Sequence, residues 1–258
     1  MRALKLLLAI LLLPACVALT TSAWKIVGTG LFSHRASPAA AAHQPLRTAN
    51  PDPIAPRAVW QHPGWTFGAG YILWLAVFAL LPKPMRVYVL GHELTHAFWA
   101  LMMGARVEGL KVRKTGGQVR SSKINWFIAL APYFFPFYAM LVLAVFFIAH
   151  AVWGLEQYLG LFFFLLGLAW SFHVTFTLMM LLTVEQPDVR SQGTLFSLVA
   201  IYSMNLLVIL LTATLLSPTI HWLEVASVLG RDFVIAYGWT LDNLAALWHR
   251  LAAYAFRS

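Results

Sequence analysis

Apolar residues run in long blocks along this chain, and polar residues collect in the short stretches between them. The first block, residues 4–19, stands behind Arg2 and Lys5. Residues 1–24 therefore read as a signal-like segment or a first membrane anchor. Residues 25–64, most clearly 33–64, are rich in proline and alanine with scattered single charges and no helical or strand period. That composition predicts an extended linker. From Trp65 the blocks return at 66–81, 85–103, 126–149, 158–183 and 194–216, most of them near the ~20 residues that cross a hydrocarbon core. Pro82-Lys83-Pro84 closes the first of these and Gly104 the second. The polar island over 105–125 carries two β-compatible arms, 107–114 and 118–121, and predicts a β-hairpin turning at Gly116-Gly117. Beyond His221, Trp222, Glu224, Arg231, Asp232, Asp242, Trp248 and Arg250 interrupt the apolar pattern. An interfacial helix is expected there, with a short span over 233–249 as the alternative. The pattern as a whole predicts an all-α polytopic membrane protein, a bundle of about five to seven transmembrane helices with one small β-hairpin. Residues 65–258 are expected to form its membrane-embedded domain.

Composition agrees with the pattern. Of 258 residues, 60% are hydrophobic and 10% charged, far from the roughly 25% charged residues of soluble domains. The net charge of +9 does not imply nucleic acid, because the basic residues sit in short loops and no nucleic-acid motif accompanies them. Their placement fits anionic headgroups of a lipid bilayer and the positive-inside bias. Arg106, Lys111, Arg113, Lys114, Arg120 and Lys123 put the hairpin on the cytoplasmic side. Arg2 and Lys5 put the N-terminus there too, although three intervening spans would separate the two. One of those three is then cleaved, re-entrant or not a true span. The single cysteine, Cys16, excludes an intrachain disulfide and a cysteine-built metal site. Leu13-Pro14-Ala15-Cys16 loosely resembles a lipoprotein cleavage box, but the proline is unusual there and an ordinary buried cysteine is the favoured reading.

The chemistry is concentrated in His92-Glu93-Leu94-Thr95-His96, inside the block over 85–103. On a helix, positions i and i+4 share a face, so His92 and His96 can turn two imidazole nitrogens toward one metal ion. Glu93 stands beside them, where a general base would act on water activated by the metal. Ionisable side chains in a membrane-grade segment cost roughly 2.5–3.5 kcal/mol each on insertion scales, and such residues are seldom idle. The expected cofactor is zinc. The bland alternative is three polar residues on a buried interhelical face.

Two histidines do not complete a catalytic zinc site, which typically takes three protein ligands and a water. Asp188, in Glu185-Gln186-Pro187-Asp188, falls at or just before a helix N-terminus, a position that favours a carboxylate. Helix capping is the alternative reading of that position. Glu185 is an alternative ligand. His173, inside the block over 158–183, is a ligand, an oxyanion donor or a histidine hydrogen-bonded across helices. Glu156 and Glu224 lie near segment ends and read as interfacial.

Gly91-His92-Glu93-Leu94-Thr95-His96-Ala97, continuing through Met103-Gly104-Ala105-Arg106-Val107-Glu108-Gly109, resembles the active-site region of site-2 protease-type intramembrane zinc metallopeptidases. The likeness is greatest to the compact bacterial branch that lacks an extra peptide-binding domain. It covers about 88–120 strongly and 170–205 more loosely. The resemblance implies hydrolysis of peptide bonds in membrane-protein substrates, a bacterial inner membrane location and a β-hairpin after the metal-binding helix. It also implies an aspartate third ligand roughly ninety residues downstream; Asp188 follows His96 by 188 − 96 = 92 residues. Better-known members carry an Asn-Pro motif before that aspartate, whereas this chain has Gln186-Pro187. The residue polarising the substrate carbonyl is therefore open between His173 and Asn205. A third ligand from glutamate, Glu185 or Glu156, and a non-proteolytic binding or regulatory protein of the same fold are the rival readings.

Overall fold

The computed structural model describes residues 2–30, 63–113, 116–216 and 220–255. In chain order these form helix α1 (Arg2–Gly30), α2 (Pro63–Leu80), α3 (Met85–Met102), strands β1 (Val107–Arg113) and β2 (Gly116–Ser121), α4 (Trp126–Leu130), α5 (Phe137–Trp153), α6 (Leu159–Thr183), α7 (Pro187–Gln192), α8 (Thr194–Leu216) and α9 (Trp222–Ala255). Short 3-10 turns precede α5 and α6, at Ala131–Tyr133 and Glu156–Tyr158. They make two compact units, one of α1, α8 and α9, the other of α2 through α7 with the hairpin. Most of the expected linker lies outside the described residues, but α1 continues to Gly30, past the boundary expected at residue 24.

The chain is mostly helical and carries the expected hairpin. Among the described residues, three helices are long and apolar enough to cross a membrane: Ala3–Gly28, Glu156–Thr183 and Thr194–Thr214. The expectation of about five to seven is thus met only in part. The block over 126–149 is not one straight span. Its two helical pieces, Trp126–Tyr133 and Phe137–Trp153, meet at 82°, and they make a fourth crossing only if counted together. Pro136 is the cause: proline has no N–H to donate and clashes with the preceding turn, so the helix restarts after it. Gly64–Leu80 is apolar but short. Helix α3 is interrupted by Arg86, His92, Glu93 and His96.

In the unit of α2 through α7, α2 and α6 pack backbone to backbone. A Cβ at Gly70 would run into the carbonyl of Phe164, and one at Gly167 into the carbonyl of Phe67. Small residues on both partners allow this approach, which in lipid replaces the hydrophobic drive as a source of helix association. Toward the other end of the pair, the Trp74 indole donates to Thr175 Oγ1 at 2.9 Å. Trp74, Tyr88, Val89, Phe172 and Phe176 form the buried cluster that ties α3 to the pair; the rings of Tyr88 and Phe176 stack at 4.8 Å and 9°. Helix α3 ends where expected, at Gly104 with φ +71°, a conformation that glycine adopts without steric penalty.

The hairpin differs from expectation in its turn. Arg113 pairs with Gly116 and Val112 with Gly117, so both glycines stand in β2 and the connection falls on residues 114–115, outside the described residues. An irregularity in register occurs between Val107 and Gly109.

In the unit of α1, α8 and α9, Leu19, Ala23, Ile26, Leu210, Ala213, Ile220 and Val228 form the core. Asp232 is buried against α1, paired with Lys25 Nζ at 2.6 Å and accepting from Ser22 Oγ at 2.8 Å. This is how a buried carboxylate is tolerated: Lys25, Ser22 and Thr21 donate to it in place of water. Cys16 is half-buried in α1 beside Ser203 Oγ at 3.4 Å. The tail is a single 34-residue helix, α9, longer than the segment expected over 233–249. One stripe packs on α1 while Trp239 and Trp248 remain exposed.

Candidate metal centre

One helical turn supplies two of the three ligand atoms. His92 and His96 lie on the same face of α3, their rings 4.9 Å apart. Asp188 arrives in the first turn of α7, which Pro187 opens; a first-turn proline loses no hydrogen bond and presets the helical φ. Asp188 Oδ2 stands 3.6 Å from His92 Nε2 and 3.5 Å from His96 Nε2. Among the described residues, His92, His96 and Asp188 are the one set of this kind whose ligand atoms all fall within 4.8 Å of one another.

The far side of each ring is already engaged. His96 Nδ1 donates to the Ile128 carbonyl at 2.8 Å, so its Nε2 turns a lone pair toward Asp188. His92 Nδ1 lies 3.3 Å from the Tyr88 hydroxyl. A neutral His96 thus directs a nitrogen lone pair at the Asp188 carboxylate, an arrangement that a shared cation satisfies. The spacing fits as well. Ligand bonds of about 2.0–2.2 Å in a tetrahedron give edges of roughly 3.3–3.6 Å, the separation of Oδ2 from both Nε2 atoms. The donor set, two imidazoles and one carboxylate, suits a borderline metal ion such as zinc.

Glu93 is buried, 6% exposed, and the hairpin covers it. Strand β2 rests on its carboxylate: a Cβ at Gly117 would fall 2.6 Å from Oε1. Gly117 therefore serves a different end from the expected turn: it has no side chain because β2 rests on Glu93.

Of the other expected participants, His173 lines a cavity of about 20 Å³ together with His92, Thr95 and Tyr138, room for about one water. It is not among the three converging ligand atoms. Glu185 is exposed and paired with Arg190 at 3.3 Å, and Glu156 is exposed beside His150 at 3.8 Å. Neither joins His92 and His96, so the expectation of a glutamate ligand is not met. Asn205 belongs to the unit of α1, α8 and α9, where its side-chain nitrogen donates to the Ile201 carbonyl at 2.8 Å.

Two participants escaped the sequence reading. Tyr133 is fully buried, its ring edge-on to His92 at 5.2 Å. Its hydroxyl donates to Gln186 Oε1 at 3.0 Å and to Asp188 Oδ2 at 3.2 Å. A polar hydroxyl inside the block over 126–149 was the available signal for Tyr133. Gln186 offered none beyond its adjacency to Pro187-Asp188. Comparison with family profiles, with curated proteins and with solved structures finds no match for this chain.

Proposed function

We propose that this chain is an intramembrane zinc metalloendopeptidase of the site-2 protease type, acting on membrane-protein substrates in a bacterial inner membrane. The observation that carries the reading is the convergence of Asp188 on both HExxH imidazoles, 3.5 and 3.6 Å away, in a chain with three helices apolar enough to cross a bilayer. A non-proteolytic protein of the same fold would be expected to lack the third ligand or misplace it, and the position of Asp188 speaks against that.

The residues then divide the work. His92, His96 and Asp188 hold the metal. When bound, zinc supplies Lewis acidity, lowering the pKa of coordinated water to roughly 7 and polarising a carbonyl. Glu93 takes a proton from the attacking water and returns it to the leaving amine. Substrate helices resist this chemistry because their carbonyls are already hydrogen-bonded internally. A segment must be unwound to react, and β2, lying directly over Glu93, offers an edge on which an extended segment can pair by strand addition. Lysines and arginines of the hairpin anchor it at anionic headgroups.

The test is metal content and cleavage on the full chain in detergent or proteoliposomes. Purified without chelator, it should carry zinc, cleave a transmembrane-helix substrate, lose cleavage on chelation and regain it with added zinc. Protein that is metal-free under these conditions and takes up none on titration would overturn the reading. Gly117→Ala should leave metal binding intact yet lower cleavage by roughly 10²-fold, because displacing a reacting group by about 1 Å costs that much. Cleavage at the wild-type rate would show that β2 does not set the position of Glu93.

A further inference from the structure

We propose that Tyr133 is a positioning residue for the metal centre, its hydroxyl donating to the Asp188 oxygen that faces both imidazoles. The inference rests on the metal-centre reading above and adds to it the groups that make the third ligand competent.

Asp188 is the ligand with the least local support. The histidines sit on a long helix, whereas the aspartate comes from the six-residue α7 after a break in the chain. A carboxylate in that position rotates about its χ angles unless something fixes it, and a free rotor would need to be ordered each time a metal binds. The Tyr133 hydroxyl meets Oδ2, the same oxygen that faces both imidazoles. A carboxylate oxygen has two lone pairs. With one taken by the phenol, the other is directed at the space between His92 and His96.

The phenol is itself held. Gln186 Nε2 donates to the carbonyls of Met180 at 3.3 Å and Val184 at 3.2 Å, at the C-terminal end of α6. That engagement turns Oε1 toward Tyr133. The ring is locked from its other side by the break at Pro136, which puts Tyr133 in the 3-10 turn beside His92 rather than on a continuous helix. A chain of contacts thus runs from the end of α6 through Gln186 and Tyr133 to Asp188. The hydroxyl carries one proton and meets two acceptors. Gln186 Oε1 at 3.0 Å and Asp188 Oδ2 at 3.2 Å compete for it, and the ionised carboxylate is the stronger acceptor.

Partners that orient a metal ligand are typically worth 10–100-fold in metal affinity. The experiment measures affinity for zinc by competition with a chelator, and the visible spectrum of the cobalt-substituted protein, on the full chain in detergent. Tyr133→Phe keeps the ring and removes the hydroxyl. It should weaken zinc binding by about 10–100-fold and alter the cobalt bands, while wild type binds tightly. Equal affinity and an unchanged cobalt spectrum would overturn the proposal and leave the metal centre standing. Wild type that binds neither ion would overturn both together. Should Tyr133→Phe fail to fold, fluorotyrosine at position 133 preserves shape and strengthens the donor; a shift in the cobalt bands supports the role and an unshifted spectrum refutes it.

Discussion

Glu93→Gln should lower peptide-bond cleavage by about 10²–10⁴-fold, the usual contribution of a positioned general base, with zinc content unchanged. The two side chains are nearly the same shape, so the carboxamide fits beneath Gly117 where a larger group would not. Neither His92 nor His96 loses a partner, since their outer nitrogens engage Tyr88 and Ile128. What is lost is the capacity to take a proton from water. Metal analysis alongside cleavage separates the effects, and wild-type rates in the variant would remove Glu93 from the mechanism.

Asp188→Ala should abolish both metal retention and cleavage. Two imidazoles remain, one short of the three protein ligands typical of a catalytic zinc site, and the loss of affinity should exceed the roughly 10–100-fold cost of removing a mere orienting partner. The fold should survive, because Tyr133 retains Gln186 as an acceptor and Val189 of α7 stays buried. Glu185→Ala is the control: that carboxylate pairs with Arg190 at the surface, and its removal should leave zinc content as in wild type. Zinc retained at wild-type level by Asp188→Ala would show that the third ligand lies elsewhere.

How far the sequence could be read depended on how local each feature is. His92, Glu93 and His96 were legible because spacing within one helix fixes their relation and because ionisable groups stand out against an apolar block. Asp188 stood among several candidates, since chain separation says nothing about which carboxylate folds back; Glu185, three residues earlier, differs only in pointing outward. Tyr133 and Gly117 acquire meaning through tertiary approach alone. The usual preference of glycine for turns points to a turn at Gly116-Gly117, whereas the value of Gly117 in β2 is the absence of a Cβ. The bend before α5 was within reach, because Pro136 interrupts the block over 126–149 and helices tolerate such a residue poorly. The length of α9 was not, as its polar interruptions resemble a helix end even though the helix continues.

The glycine contacts between α2 and α6 bear on how a substrate can arrive. At Gly70 and Gly167 the two backbones touch with no layer of side chains between them, so no rotamer change can part them there. That seam is closed as a lateral doorway from the lipid. If the chain cleaves membrane helices as proposed, they would reach His92, His96 and Asp188 by another flank, and a crosslinker placed at this seam should leave hydrolysis undisturbed.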